Sequence, residues 1–534
     1  MSKFDAPGND PDELHPLSEA AAAEIAALPT EVIGLDEAPS HAAPGQPAHP
    51  PLAHSDVRTI LMSLMLTMFL TALDQTIVAT ALPTIGRQFQ DVSLLSWVIT
   101  AYLLSSTAVA PLFGTLSDIY GRRAMLILSM SLFLVGSVLC ALAPNMLALI
   151  LARGLQGLGG GGILPLVQIV ISDVVTPRER GRYQAYFSGV WMTAGIGGPI
   201  LGGIFAEHLH WTMIFWINVP IGILSMALLL PKMHLVPTYH RVRTVDWVGG
   251  GLLMSSAVVV LLVLTWGGNR YAWLSDTLLA MIGCALALAV AFVWHARRSS
   301  EPFLPLPLLG GSVVPYAIVA GACVISTMIG LTVTLPLYYE TVYHLAASEA
   351  GLALIPIVAM SVPGAALGGR AMSKIKHYKR VAIAGTACGA VVMSLITLMS
   401  PLPLWPLLIA LSVFAFGVGT VFPISVVSIQ NAVARHQVGT ATGAANFFRS
   451  LMASFAVAAF SSILLMSLGT NISIGGEHIS AARQIAPADM VAAFRYVFAA
   501  AAVLVACSTI GLIFMEERPL LGPAAKEGAA MMAE

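Results

Sequence analysis

One unit recurs through most of this sequence: an apolar stretch of about 20 residues, closed by a short polar break, which as a helix crosses a hydrocarbon core of about 30 Å. The stretches fall at 57–82, 94–116, 124–143, 146–171, 182–206, 211–231, 246–266, 275–295, 313–338, 350–369, 381–399, 404–430, 439–466 and 493–514. Inside lipid every backbone N–H and C=O must be satisfied within its own segment or a closed barrel, so runs of this length dictate α-helices. The expected fold is therefore an all-α integral membrane protein of fourteen transmembrane helices. The pair between 246 and 295 decides between fourteen spans and twelve.

Only 10% of the 534 residues are charged, against about 25% in soluble domains, which excludes a soluble enzyme as the main body. The net charge of −1 leaves no basic surface for nucleic acid, whose binding rests on many Lys and Arg contacts to phosphate. Residues 1–56 differ in kind, with ten acidic residues against the single base Lys3. Such a segment is too polar to bury a core and is expected to be a disordered acidic cytoplasmic tail, with a helical turn or two around Ser18–Leu28. It lacks the basic start and apolar run of a secretory signal.

Orientation follows from the basic residues, which favour the cytoplasmic side. With the N-terminus inside, 20 of the 26 Lys and Arg fall on inner segments, among them Arg122, Arg123, Lys374, Lys376, Lys379 and Arg380. Four fall outside (Arg87, Arg270, Arg483 and Arg495) and two, Arg153 and Arg449, lie within spans. This bias requires an even number of spans, with both termini in the cytoplasm of a cell carrying the protein in its cytoplasmic membrane. Tryptophans 97, 211, 247, 266, 273, 294 and 405 sit near expected span ends, as an aromatic belt requires, and Trp191 does not.

Catalytic machinery is missing from the sequence. There is no GxxxxGK[ST] loop for ATP, no HExxH zinc helix and no GxSxG elbow. Five cysteines (140, 284, 323, 388 and 507) lie in apolar runs without CxxC spacing, so they are expected to be small buried hydrophobes rather than disulfides or zinc ligands. Glu207, His208 and His210 are expected to be solvated loop residues, with no metal and no cofactor.

Many-span chains without a motor are transporters, channels or lipid-handling enzymes. Here the loop after the second span (Gly114 to Arg123, with Asp118, Gly121 and Arg122 between) and the loop after the tenth (Gly368 to Arg380) are both short, basic and preceded by glycine. Two related bundles, each with such a loop after its second helix, are the pattern of parallel repeats rocking about a midplane site.

The first of these loops resembles the signature of the major facilitator superfamily. Leu73-Asp74-Gln75-Thr76 through Pro83 resembles a first-span motif of its fourteen-span drug/proton antiporter family. Arg153-Gly154-Leu155-Gln156-Gly157, Gly198-Pro199-Ile200-Leu201-Gly202-Gly203 and Trp211 through Asn218 and Pro220 to Gly222 resemble three further motifs in the expected order. Thr212 stands where an Arg is frequent, and Leu451-Met452-Ala453-Ser454 replaces a glycine-rich stretch. The resemblance implies two six-helix bundles, 57–231 and 301–514, two additional helices within 232–300 and a cytoplasmic tail from 515 to 534. It also implies antiport, and export as the direction, from the motif carrying Gly198, Pro199, Gly202 and Gly203; close helix packing explains the same glycines equally well.

Asp74 is the one carboxylate placed deep in a span, and an intramembrane charge costs about 2.5 to 3.5 kcal/mol even on a lenient scale. It lies about 12 Å below the outer surface and Arg153 about 10 Å, at 1.5 Å per residue. At matching depth they are candidates for a protonatable coupling carboxylate and the cation that tunes it; the alternative is a static ion pair or no contact. Asp118 with Arg122 and Arg123 suggests an inner latch, flanked by Gly114 and Gly121, although the two arginines alone would serve as a topology signal. Gln75, Gln156, Trp191, Asn446, Phe447 and Arg449 are candidates for a substrate cavity, each of them also explicable as packing. Arg449 near the midplane must find a partner or water and favours anionic or zwitterionic substrates.

The functional expectation is a proton-coupled exporter of drugs or other amphiphilic molecules working by alternating access, as a monomer whose partners are substrate, protons and lipid. The alternatives are a dedicated metabolite transporter of the same fold or, further off, a lipid enzyme, which should show carboxylates clustered at one membrane face.

Overall fold

A computed structural model describes residues 54–91, 94–236, 244–268, 270–468 and 486–520. The expected acidic tail and its helical turns lie almost entirely outside the described residues. Fourteen helices are long and apolar enough to cross a membrane: α1 (Ser55–Phe89), α2 (Leu95–Tyr120), α3 (Arg122–Ala141), α4 (Met146–Val174), α5 (Pro177–His208), α6 (Met213–Leu235) and α7 (Trp247–Trp266), followed by α8 (Asp276–Arg298), α9 (Val314–Val342), α10 (Ser348–Lys374), α11 (Lys379–Met399), α12 (Leu404–Ala432), α13 (Arg435–Leu468) and α14 (Pro487–Phe514). Each expected span has its helix. Most of the helices outrun the apolar stretches by several residues, because an α-helix continues past the hydrocarbon wherever its ends stay solvated or capped. Asp173 shows the consequence: the expected fourth span stops at 171, whereas α4 runs on to Val174 and carries this carboxylate into a buried contact with Arg122.

Helices α1–α6 form one bundle around Tyr102, Phe113, Phe133, Leu166 and Phe187. Helices α9–α14 form the second around Tyr338, Phe414, Phe460, Phe494 and Phe498. Within the first bundle, the glycines of α4 let its backbone approach two neighbours at once. A Cβ on Gly161 would stand 2.6 Å from Ser106 Cα of α2, and one on Gly159 would stand 2.6 Å from Ser129 O of α3.

Helices α7 and α8 form a hairpin laid over the seam between the bundles. Leu253 and Ala257 of α7 and Phe292 and Ala296 of α8 meet Phe303, Leu304, Ala444 and Phe447 in one cluster, with Leu112 of α2 at its edge. Asp246 ties this hairpin together. Its carboxylate caps α7 through Gly249 N (2.8 Å), pairs with His295 Nε2 at the end of α8 (2.8 Å) and accepts from Phe303 N in the following link (3.0 Å). Burial works against its ionisation, but these hydrogen bonds outweigh burial and hold the carboxyl below the usual carboxylate range.

The structure corrects several expectations. Cys140 and Cys323 are buried, but Cys284, Cys388 and Cys507 face outward from the protein, because a span apolar all round hides its lipid side from a pattern-based reading. Trp211 is not a belt residue: it is 2% exposed, packed against Phe89 and Phe215, with its indole N–H donated to Gln88 Oε1. Over its described part, the segment after Phe514 lies against the loop between α10 and α11. Glu517 accepts from Lys379 N (2.9 Å) and pairs with His377 Nδ1 (3.1 Å), and Tyr378 OH donates to Arg518 O (3.1 Å).

Candidate functional site

The centre of the first bundle holds a closed polar network. Arg153 reaches it from α4, whose start is capped by Asn145 Oδ1 accepting from Ala148 N at 2.8 Å. Arg153 Nη1 donates to Asp74 Oδ2 of α1 at 2.7 Å and to Gln156 Oε1 at 2.6 Å, and its Nε donates to Val98 O at 3.1 Å. Its guanidinium lies 4.4 Å above the Tyr102 ring, a cation–π contact. The other carboxylate oxygen, Asp74 Oδ1, accepts from Gln156 Nε2 (2.8 Å) and from Asn218 Nδ2 of α6 (2.9 Å). Ser137 of α3 accepts from both amides. Asp74 and Gln156 are 0% exposed and Arg153 2%, so this is an ion pair out of water whose charges are matched by hydrogen bonds, the condition that makes such burial tolerable.

Gln156 occupies this position because Gly136 of α3 has no side chain; a Cβ there would stand 2.7 Å from Gln156 Cβ. Gln156, expected as a cavity residue, thus belongs to the ion-pair network. Asn218, Ser137 and Tyr102 complete it; Asn218 stands in the sixth-span motif but was given no role there, and Ser137 and Tyr102 were not singled out. For Asn218 the signal was its place in that motif as a lone amide within an apolar run, whereas Ser137 and Tyr102 are ordinary residues in any span.

A second polar constellation lies at the end of the bundles where the loops are basic. Gly121, at φ 90°, makes the turn from α2 into α3 in a region that favours glycine. The turn folds Arg122 back so that its Nη1 donates to Asp118 Oδ1 (2.5 Å) and its Nε to Asp173 Oδ2 (3.0 Å). Asp118 also crosses to the second bundle: Oδ1 accepts from Gly439 N (3.1 Å), Oδ2 from Thr440 N (2.8 Å) and Thr440 Oγ1 (3.0 Å). These are free N–H groups in the first turn of the α-helical part of α13, Val438–Leu468, which follows a 3-10 turn at Arg435–Gln437, and there a carboxylate also meets the positive end of the helix dipole. Gly114 allows this approach, since a Cβ there would stand 3.0 Å from Gly443 Cα. Arg123 is exposed and joins no ion pair among the described residues, so the expectation that it belongs to the latch is corrected: the turn points it away from Asp118.

The related loop between α10 and α11 has no carboxylate at the corresponding place. Instead Gly369 of α10 meets Gly181 of α5, where a Cβ would stand 2.6 Å from the Gly181 carbonyl carbon. Glu517 supplies the acid to the loop from the chain's later segment. The two bundles are therefore closed on each other at the basic end by two helix pairs, α2 with α13 and α5 with α10.

Of the remaining candidates, Gly198 and Gly202 seat α5 on α1. Their added Cβ atoms would meet Thr76 Cβ at 2.7 Å and Ile77 O at 2.6 Å, whereas Gly203 faces open space and Pro199 is exposed. Gln75 is exposed and Trp191 is half-buried beside Ala72, Leu73 and Ala194. Phe447 turns toward the α7–α8 hairpin and packs on Phe448 (5.2 Å), which corrects its placement in a cavity: the hairpin, absent from a twelve-span fold, covers that face of α13. Asn446 and Arg449 lie on the seam. Asn446 Nδ2 donates to Gln168 Oε1 of α4 at 2.9 Å, and Gln430 of α12 donates to Gln168 O at 3.2 Å. Glu207, His208 and His210 are exposed, and no group of three metal-ligating side chains exists among the described residues.

The family model described as Major Facilitator Superfamily matches residues 64–457. The chain belongs to the major facilitator superfamily. It is 35% identical over 409 residues to the MFS-type efflux pump LUC4 of Fusarium sp, covering 75% of this chain and 72% of that protein. It is 30% identical over 412 residues to the multidrug transporter protein MdtP of Bacillus subtilis strain 168, covering 76% and 75%. Among solved structures, the human organic anion transporter MFSD10 (TETRAN) superposes with a TM-score of 0.58 at 15% identity, covering 84% of this chain and 99% of that one. The proton:xylose symporter XylE gives 0.56 at 15% identity, covering 86% and 95%; at such identity these likenesses speak for the fold. This major facilitator protein is a multi-pass membrane transporter, not an enzyme, and it carries the two six-helix bundles of the superfamily plus two central helices.

Proposed function

We propose that the chain exports amphiphilic small molecules across the cytoplasmic membrane in exchange for protons, as a monomer by alternating access, with both termini in the cytoplasm. The observation that carries this reading is the Asp74–Arg153 pair, a buried carboxylate at 2.7 Å from a buried guanidinium in the centre of the first bundle. A proton that reaches Asp74 abolishes the ion pair, while Arg153 keeps Gln156, Val98 O and the Tyr102 ring. Protonation thus weakens the tie of α1 to α4 and leaves Arg153 on neutral partners alone, a cost that favours rearrangement of the bundle. The Asp118 cap on α13 and the Gly181–Gly369 contact hold the basic end shut, and the proton-dependent step is the rearrangement that releases them. Efflux as the direction is supported by the relatives named efflux pump and multidrug transporter.

The test is ΔpH-driven transport in everted membrane vesicles. Asp74→Asn is expected to abolish proton-driven accumulation while leaving downhill exchange of substrate measurable; full proton-driven activity of this variant would sink the proposal.

A further inference from the structure

Each bundle buries one arginine in the interior of a span, and among the described residues only one of the two has a counter-ion. Arg153 has Asp74. Arg449, on α13 and 4% exposed, forms no ion pair among the described residues. Its Nη1 and Nη2 reach Asn446 Oδ1 and Ser425 Oγ only at 3.5 Å, the outer limit of a hydrogen bond, and its Nε has no partner. The Phe422 ring, 5.3 Å from the guanidinium carbon, covers one side, and Gly321 of α9 packs close on another, where an added Cβ would meet Ser425 Oγ at 2.8 Å and Arg449 Nε at 3.4 Å. A buried cation without a counter-charge is among the most costly features a fold can carry.

Other unmatched groups surround it. Asn446, one turn before Arg449, bonds across the seam to Gln168 of the first bundle. Gln168 Nε2 is a buried donor without an acceptor, and Gln430 Oε1 is a buried acceptor without a donor. Arg449 lies about 16 Å along α13 from Val438, at 1.5 Å per residue, so separation of α13 from α4 at the basic end opens the Asn446–Gln168 contact and uncovers the guanidinium near mid-membrane. Among the described residues, Gln168 and Arg449 thus set an unmatched donor on each bundle at this part of the seam, and one of them bears a full positive charge.

We propose that Arg449 and Gln168 bind the carboxylate of an organic acid as the transported substrate, one oxygen drawn to the guanidinium fork and the other toward the Gln168 amide, with Gln430 Oε1 accepting from a substrate hydroxyl or N–H. The planar fork of arginine suits a carboxylate better than a point cation does. An anion bridging the bundles supplies the missing counter-charge and compensates the burial of Arg449 as the basic end closes over it. The proposal rests on the transport reading and specifies its substrate class.

The test is equilibrium binding to the purified full-length protein in detergent, without a pH gradient, so its outcome is independent of proton coupling at Asp74. The probes are matched pairs of an acid and its primary amide: 2-naphthoate with 2-naphthamide, biphenyl-4-carboxylate with its amide, and decanoate with decanamide. The wild type is expected to bind at least one acid roughly tenfold to hundredfold more tightly than its amide, the range of charge-assisted hydrogen bonds. Arg449→Gln removes that preference with amide binding retained, and Arg449→Lys keeps part of it. The proposal is overturned if no acid outbinds its amide in the wild type, a comparison that needs no variant to fold. An undiminished preference in Arg449→Gln, or displacement of the acid by equimolar chloride, overturns it equally.

Discussion

The carboxylate of Asp118 and the backbone nitrogen of Thr440 are 322 residues apart in the chain and 2.8 Å apart in space. One acidic side chain at the end of α2 thus caps the first turn of α13 and joins the two bundles. Arg122 holds that side chain from behind, and Asp173 holds Arg122.

Loss of the charge on Asp118 releases the basic end. Hydrogen bonds to a charged group are worth about 1.5–3 kcal/mol each, so Asp118→Asn is expected to raise the population open at that end tenfold or more. Spin labels at Tyr120 and Lys374, both exposed and on opposite bundles, report it as a longer distance distribution by pulsed dipolar spectroscopy in a cysteine-free background. An unchanged distribution would mean that the glycine contacts alone close this end.

The Asp74–Arg153 pair should show the asymmetry of buried ions. Removing one partner leaves an uncompensated charge, so Asp74→Ala is expected to destabilise the protein by about 3–5 kcal/mol. Replacing both, as Asp74→Leu with Arg153→Met, restores most of that loss and abolishes proton coupling. Thermal unfolding in detergent with vesicle transport separates the two effects; a double variant no more stable than the single one contradicts this account.

Gly198 and Gly203 lie on the same helix and predict opposite outcomes. Alanine at 198 brings a Cβ to 2.7 Å from Thr76 Cβ and pushes α5 away from α1, at about 1–3 kcal/mol for overpacking. At 203 nothing lies within 4 Å, so alanine is neutral or stabilising by up to about 1 kcal/mol through helix propensity. Unfolding midpoints of the two variants decide this directly.

Asp246 gives the α7–α8 hairpin a pH dependence of definite sign. Its hydrogen bonds lower its folded-state pKa, so its stabilisation is present above the ordinary aspartate value of about 3.9. That stabilisation is lost as pH falls through the lowered folded value. Wild type is therefore expected to exceed Asp246→Asn in stability at neutral pH, and the difference to close in acid; a gap that widens on acidification would reverse the assignment.

Much of this was legible in the chain. The span count, the basic loops and the matching depths of Asp74 and Arg153 follow from hydropathy, charge placement and a rise of 1.5 Å per residue, all local or additive quantities. Asn218 and Ser137 were not legible as members of the ion-pair network, because an isolated polar residue in an apolar span looks the same whether it faces a carboxylate or its own backbone carbonyl. Phe447 was misread because its surroundings come from Leu253 and Ala257 of α7 and Phe292 and Ala296 of α8, far earlier in the chain.

The sequence by itself determined that this chain crosses a membrane fourteen times, that its bulk is no soluble enzyme and which few charges lie within lipid. Only the tertiary structure decided how the buried charges are matched: Arg153 with a carboxylate, Asp118 at the inner end with the start of a distant helix, and Arg449 with no carboxylate among the described residues. The reason is physical. Insertion into a bilayer depends on the composition of each segment alone, whereas compensation of a buried charge depends on which helix lies within 3 Å of it, and that is set by packing between segments hundreds of residues apart.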